Sequence, residues 1–588
     1  MSLFLDFVRD IHDLKRISLV CKDYRDAVVP LLSRFREIQY KIPGQSFDDL
    51  ERELLWANRH LFVNHSRWMT QLLRSIHYKS TKGLSCIGEI CDLIRQHYQC
   101  PPDKNQTKCW NLMCTRFCQS KFSINEFMCL FDEMIPSITV QELLIQYFDE
   151  CVSASQPDEW YYFIPCLVHH MRNADCSIHE SVIGKWLIGV SQHNPAVAKQ
   201  VYWCFSLSTQ SRNQNIAMFY SYWLEQWSRA MPRDVRKNIL DSHQAATECV
   251  NILCKSNNVV NMMNWMQKAG THFVSPVHPE LGSAVIDLDS VAVKDSITKP
   301  VMFTLNWESG ENSTILAKPE DVRKDYYGMC FIRAVDQILK RDLEEDYFIT
   351  TYDVQPINSE SGFIEIVQDS TTFCALLTDE RYKKNLFNFV SGEAQLEEIR
   401  TRFMKSCSAY CVITYLLGAG DRHQDNIMVT KEGVLFHIDY GYIMGADPKR
   451  KLPGMGNLPE MRIDQVMLEA MGSADRFQEF RGHVDKVYNC LRRNVEPLTA
   501  ILRLLALSEP EISIRRNFNH AKLMNEVLKR FVPGENHAEA RIHINRRIDN
   551  STQSTTHFNV IDMFHNMTRS NSVVKGVAST WHSIKKAF

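Results

Sequence analysis

Gly418-Ala-Gly-Asp421-Arg422-His423-Gln-Asp-Asn426-Ile-Met-Val429, followed by Leu435-Phe-His-Ile-Asp439-Tyr440-Gly441-Tyr442, is the stretch from which the rest of the chain is read. Asn426-Ile-Met-Val and Val434-Leu-Phe-His-Ile are short apolar runs separated by Lys431-Glu432-Gly433, which predicts a hairpin. Each arm opens into a polar loop, one carrying Asp421, Arg422, His423 and Asn426, the other Asp439. Two short loops flanking a hairpin can bring together an acidic ligand, a second oxygen ligand and a group that receives a proton. A helix end followed by a polar turn accounts for one such loop, but not for both at this spacing.

Working outward, Val285-Ile-Asp-Leu-Asp, Val301-Met-Phe-Thr-Leu, Ser313-Thr-Ile-Leu-Ala-Lys and Phe363-Ile-Glu-Ile-Val read as strands, with a helix around Tyr326 to Leu339. Before them, from about Asp48 to Ala269, apolar residues recur at helical spacing and glycine is scarce, which predicts a solenoid-like stack of helices without a strict repeat. Val274-Ser-Pro-Val-His-Pro-Glu-Leu-Gly282 marks the boundary between the two patterns. After Thr371 the chain is mostly helical again apart from the hairpin. The expected class is therefore α+β, an all-helical N-terminal region ahead of a mixed domain.

Bulk properties exclude more than they assign. Lys+Arg 67 against Asp+Glu 69 leaves a net charge of -2, so no global field draws the chain to nucleic acid, and none is expected as a partner. The start at Met1 breaks its apolar run with Asp6, Arg9 and Asp10, unlike a signal peptide. The longest apolar stretch, around Ala409 to Ala419, falls short of the roughly 20 residues that cross a bilayer. A soluble or peripheral protein is expected. Of 19 cysteines the densest group is Cys86, Cys91, Cys100, Cys109, Cys114 and Cys118, with no C-x-x-C pair among them, so they read as reduced thiols rather than a zinc site.

Asp421-Arg422-His423-x-x-Asn426 and Asp439-Tyr440-Gly441 resemble the catalytic and metal-binding loops of the phosphatidylinositol 3- and 4-kinase superfamily, where D-R-H replaces the H-R-D of ordinary protein kinases. The resemblance implies a bilobal protein-kinase-like catalytic domain, with the small lobe at 273–370 and the large lobe at 371–588 ending in an amphipathic helix. Ahead of it would lie a helical accessory domain at 48–272 and an N-terminal helical segment at 1–47. It also implies ATP with Mg²⁺ (or Mn²⁺). Asn426 and Asp439 would hold the metal, while Asp421 and His423, beside Arg422, would share the proton-handling role.

By the same resemblance Lys318 is the small-lobe lysine that neutralises phosphate charge, and Asp325 orients it. The family usually reads K-x-G-D-D-L-R-Q-D there. This chain is one residue shorter, lacks the glycine and has Lys324 in place of glutamine. Gly362-Phe-Ile-Glu-Ile-Val-Gln-Asp is similar to the hinge between lobes, with Glu365 and Val367 presenting backbone groups to adenine and Tyr352 lining the inner pocket. Lys299-Pro-Val-Met-Phe-Thr-Leu-Asn-Trp-Glu resembles the phosphate-covering hairpin, with Ser296 near its turn.

Ser406-Cys-Ser-Ala-Tyr-Cys-Val-Ile-Thr-Tyr-Leu-Leu-Gly and Asp439-Tyr-Gly-Tyr-Ile-Met-Gly-Ala-Asp-Pro-Lys point within the superfamily to class III phosphatidylinositol 3-kinases. The implied reaction moves the γ-phosphate of ATP to the inositol ring of phosphatidylinositol at the 3-position. The 4-position, and a catalytically weak kinase-like scaffold or F-box adaptor, stand as alternatives. Lys449, Arg450 and Lys451 would meet the lipid head group, or else form a solvated turn. Val574, Val577, Trp581, Ile584 and Phe588 line one helix face, suited either to a membrane surface or to docking on the large lobe. Asp13-Leu-Lys-Arg-Ile-Ser-Leu-Val-Cys-Lys-Asp-Tyr-Arg-Asp resembles half of an F-box, which would bind a ubiquitin-ligase scaffold, or is a capping helical hairpin. A regulatory protein subunit and a cytoplasmic, peripheral position on endosomal or other internal membranes complete what the resemblance implies.

Overall fold

The computed structural model describes residues 22–39, 41–42, 45–63, 65–78, 80–99, 121–132, 135, 137–155, 159–172, 179–256, 259–269, 273–294, 296, 298–382, 386–390, 396–446, 459–507, 520–533, 535–554, 558 and 562. The chain forms two compact units, Met1–Val190 with Arg493–Ile501, and Ser191–Arg492 with Leu502–Phe588. Lys449, Arg450, Lys451 and the apolar face from Val574 to Phe588 lie outside the described residues. Of the F-box-like run, Lys22 to Asp26 alone are described, within the helix Lys22–Gln39.

The first unit is helical, as the spacing of its apolar residues predicts. Its helix Asp49–Ala57 starts on a capping box: Glu51 N–H donates to Asp48 Oδ1 at 2.9 Å, and Asp48 N–H donates to Glu51 Oε2 at 2.7 Å. The helices Ser66–Ser75, Ile124–Asp132 and Ile138–Ser153 supply aromatic packing. Phe62 stacks on Trp68 at 5.4 Å, and Phe127 meets Phe148 edge to face at the same separation. Arg67 is buried against Glu496, which holds the guanidinium charged despite its burial.

In the second unit the strands are β1 (Phe273–Val274), β2 (Ser283–Val293), β3 (Val301–Asn306), β4 (Asn312–Lys318), β5 (Val354–Asn358), β6 (Ser361–Ile366), β7 (Ser370–Thr372), β8 (Ile427–Thr430) and β9 (Leu435–His437). A six-stranded antiparallel sheet runs β1-β2-β3-β4-β6-β5, and a three-stranded sheet runs β7-β8-β9. All four strands expected from alternation are present, as is the hairpin, closed at Gly433 with φ +82°. The expected helix extends to Arg323–Leu343. The structure adds β1, β5 and β7, which are too short or too proline-interrupted to show period-2 alternation.

Helix gives way to strand at Phe273, yet the compact units divide at Val190/Ser191 instead. The helices Pro195–Thr209 and Arg233–Ser256 pack with the sheet. Lys199 Nζ donates to Val277 O at 2.8 Å, Gln210 Nε2 to Ile357 O at 3.0 Å, and Tyr326 Oη to Gln200 Oε1 at 3.0 Å. These bonds fasten helical residues to both edges of the six-stranded sheet and to the helix Arg323–Leu343.

Close packing at Gly362 sets how β4 lies against the β6–β5 pair. Gly362 is paired with Lys318 on one side and Pro356 on the other. A Cβ there would sit 2.2 Å from Val322 Cγ2 and 2.9 Å from Gln355 O. Gly362→Ala is therefore expected to destabilise by about 1–3 kcal/mol through overpacking. The measurement is a urea midpoint that falls while the slope is unchanged; an unshifted midpoint would show that the neighbours give way at no cost.

Candidate active site

The two polar loops meet because the hairpin register puts them side by side. Ile427 pairs with His437, and Ile438 N–H donates to Asn426 O at 3.1 Å. Asn426 and Asp439 thus leave the same end of the β8–β9 ladder. Asn426 Nδ2 donates to Asp421 O at 3.0 Å, which turns the amide oxygen away from its own loop. Asp439 Oδ1 accepts the Gly441 N–H at 3.1 Å, so the second carboxylate oxygen is not needed for that turn. Asp421 and Asp439 both have left-handed backbone, φ +56° and +60°, a conformation aspartate tolerates better than most residues.

Arg422 joins the loops from beneath. Its guanidinium donates to Gly420 O at 2.8 Å, to Ile438 O at 2.7 Å and to Asp439 O, and it is 9% exposed. A planar fork of five donors can serve three carbonyls at once. A second buried arginine, Arg462, donates to Arg422 O at 2.9 Å, to Asp464 Oδ2 at 3.0 Å, and to Asp562 Oδ1 and Oδ2 at 3.0 and 2.6 Å. Asp562 in turn accepts the Gln424 N–H at 3.2 Å. His437, stacked on Tyr410 at 5.5 Å, is kept neutral by burial and by the charges of Arg422 and Arg462.

Across from the hairpin, Lys318 at the end of β4 is paired with Glu320 at 2.5 Å. Burial opposes its charge, but Glu320, Asp439 and Asp325 outweigh that and hold the ammonium protonated. Asp325 is pushed up to about 6 by burial, with Lys318 pulling it down and Asp439 pushing it further up. Asp325 Oδ1 accepts the Tyr440 N–H at 2.8 Å, and Lys324 Nζ donates to Gly441 O at 3.2 Å. A Cβ on Gly328 would lie 3.1 Å from the Tyr440 ring, so the ring seats directly on the helix Arg323–Leu343. Lys318, Asp325 and Asp439 therefore form one electrostatic group despite the shortened segment between the first two.

The hinge-like strand is more committed than its sequence implies. Glu365 N–H donates to Asp353 O at 2.8 Å, so Glu365 has no free backbone donor for an adenine ring. Val367 stands one residue past β6; its carbonyl accepts Ser370 Oγ at 2.7 Å, and its N–H has no partner among the described residues. Tyr352 is buried with its carbonyl held by Arg333 at 3.1 Å. Ser296 is exposed in the turn between β2 and β3, away from any described partner but Thr298 Oγ1, Lys294 O and Lys299 N–H.

Sequence reading overlooked Arg462, Asp562, Arg333 and Asp353, all of which brace the loops or the hinge-like strand, and it named Lys324 without its bond to Gly441. Their signals are single charged residues amid apolar text, as in Met461-Arg-Ile463, and such a charge is buried only if it is paired. Asn426 and Asp439 fit Mg²⁺ by donor type: a hard cation that takes one or two protein oxygens and fills its shell from phosphate and water. Among the described residues no group of three or more His, Cys, Asp or Glu gathers as a protein cage. No described helix is long and apolar enough to cross a membrane.

Residues 311–515 match the family Phosphatidylinositol 3- and 4-kinase. Phosphatidylinositol 3-kinase VPS34 of Candida glabrata is 30% identical over 303 residues, which is 50% of this chain and 32% of that protein. Phosphatidylinositol 3-kinase VPS34 of Arabidopsis thaliana is 24% identical over 537 residues, 84% of this chain and 60% of that protein. The nodule isoform of phosphatidylinositol 3-kinase from Glycine max is 23% identical over 500 residues, 80% of this chain and 57% of that protein. The matched part of this chain thus corresponds to between about a third and three fifths of these relatives' lengths.

Proposed function

Because this chain belongs, through residues 311–515, to the phosphatidylinositol 3- and 4-kinase superfamily, we propose that it transfers the γ-phosphate of ATP to the 3-hydroxyl of phosphatidylinositol. The observation that carries this reading is the joining of the two loops by Arg422, which brings Asp421, Asn426 and Asp439 to one end of the hairpin. The 3-position follows the relatives, which are phosphatidylinositol 3-kinases by name.

In this mechanism Asn426 and Asp439 would hold Mg²⁺, which when bound would neutralise charge on the phosphate oxygens. Lys318 meets the phosphates from the opposite side, and the charge that Glu320 and Asp325 preserve on it is the charge the reaction uses. The inositol oxygen attacks the γ-phosphorus in line, its proton passes to Asp421 or His423, and ADP leaves. Val367 offers its unpaired N–H to the adenine edge, with Tyr352 behind it. Ser296, in the exposed turn between β2 and β3, would meet the phosphates, and the positive charges of Lys449, Arg450 and Lys451 in the sequence would suit the head group. The lipid is confined to a bilayer, so the enzyme works as a peripheral protein on internal membranes, with a regulatory subunit as its protein partner.

The test is product analysis after incubation with phosphatidylinositol vesicles, Mg²⁺ and labelled ATP. Label on the 3-hydroxyl is expected. Label on the 4-hydroxyl would move the protein to the other branch of the superfamily, and no labelled lipid would leave the scaffold alternative standing.

A further inference from the structure

His278 sits in the turn between β1 and β2, far in sequence from every loop so far given a role. Its Nε2 lies 3.0 Å from Glu365 Oε1 and its Nδ1 3.3 Å from Glu280 Oε1. Glu365 also accepts Ser313 Oγ at 3.3 Å and Asp353 N–H at 3.2 Å. Lys199 Nζ stands 3.7 Å from both Glu280 Oε2 and Asp353 Oδ2, and Arg333 closes the group on Asp353. Trp307 meets the imidazole edge to face at 6.0 Å.

The group therefore contains three carboxylates, Glu280, Asp353 and Glu365, against two basic side chains, Lys199 and Arg333. Only the imidazolium form of His278 balances that count, and only that form has an N–H on each nitrogen to give one to each flanking carboxylate. A neutral imidazole would leave one carboxylate facing a lone pair in a half-buried setting, at a cost that favours movement of the strand. Glu365 is on β6, two residues before the Val367 N–H that leaves the strand unpaired.

We infer that His278 is a positioning residue for nucleotide: anchored to Glu280 through Nδ1–H, it pins the Glu365 carboxylate with Nε2–H, and so fixes the end of β6 against which the adenine edge docks. This rests on the ATP-dependent reading above and adds to it a residue that touches no substrate atom. The loops holding Asp421, Asn426 and Asp439 are braced separately by Arg422 and Arg462, so loss of the His278 bonds acts on nucleotide affinity and leaves turnover at saturation in place.

Burial works against the His278 charge, but Glu280, Glu365 and Asp353 outweigh it and raise the group to about 9. A histidine raised in this way contributes fully below its ordinary value, and that contribution is lost as pH rises through about 9. Nucleotide affinity of the intact protein should therefore fall between about pH 8 and pH 10.

The experiment titrates the full chain, with Mg²⁺, against a fluorescent ATP analogue, and measures kcat and KM for ATP on phosphatidylinositol vesicles in parallel. At neutral pH His278→Gln is expected to weaken analogue binding and raise KM by about fivefold or more with kcat unchanged, and to lose the alkaline fall. His278→Lys, which keeps a charge between the carboxylates, should restore most of the affinity. A folded Gln variant that binds as tightly as the wild type overturns the inference, as does a flat wild-type profile over that alkaline range, which is readable even if the variant does not fold. A loss of kcat without loss of affinity likewise overturns it. A wild-type protein that binds no analogue at all overturns the ATP-dependent reading, and the inference with it.

Discussion

Asp439→Asn is expected to lower transfer of phosphate to lipid by about a thousandfold while the protein stays folded, because the carboxylate proposed to grip Mg²⁺ becomes a neutral amide. Asparagine is the informative replacement. It tolerates the φ of +60° at this position and keeps an Oδ1 to accept the Gly441 N–H, so the turn survives and only the charge is removed. Alanine would confound lost chemistry with backbone strain. Lys318 would also lose one of the three carboxylates that keep it charged, but Glu320 remains 2.5 Å away, so the lysine stays protonated. The measurement is labelled-lipid formation alongside a thermal unfolding midpoint. Activity within about tenfold of wild type, in a folded protein, would remove Asp439 from the metal site.

Arg422→Lys should cost about a hundredfold in kcat, although the charge is retained. One ammonium cannot serve the carbonyls of Gly420, Ile438 and Asp439 together, and each carbonyl left buried without a donor costs about 1–3 kcal/mol. The loops would part by small distances, enough to separate Asn426 from Asp439. KM for ATP should change little, because β6 and Val367 are braced elsewhere. A kcat within about threefold of wild type would mean that the β8–β9 ladder alone aligns the loops.

Much of this was legible in the sequence, for reasons particular to each part. The hairpin and its loops are local: β-branched runs, a Lys-Glu-Gly turn and short polar loops need no distant partner to be recognised. The helical block and the strands β2, β3, β4 and β6 follow from periodicity in the same way. The two-residue β1 and the proline-bearing β5 carry too little pattern to see. The division at Val190/Ser191 depends on bonds such as that from Lys199 to Val277, 78 residues apart, which no local pattern encodes. The hinge shows the limit most sharply. An extended strand at Gly362 to Val367 is readable, but the capture of the Glu365 N–H by Asp353 is a tertiary event, and it leaves Val367 as the free donor.

The helix Arg323–Leu343 touches both parts of the proposed site. Near its start Lys324, Asp325 and Gly328 meet Gly441 and Tyr440 of the proposed metal-binding loop; further along, Arg333 grips Tyr352 and Asp353 ahead of the proposed hinge. The eight residues from Asp325 to Arg333 span about 12 Å of helix axis. The helix is thus a gauge block, setting the span between the proposed places for the base and for the triphosphate. Its length and its rotation are coupled: one residue added within that interval would swing one set of grips by about 100° relative to the other. The one-residue shortening that sets this chain apart from its superfamily pattern falls before Asp325, outside the gauge, where a loop can absorb it.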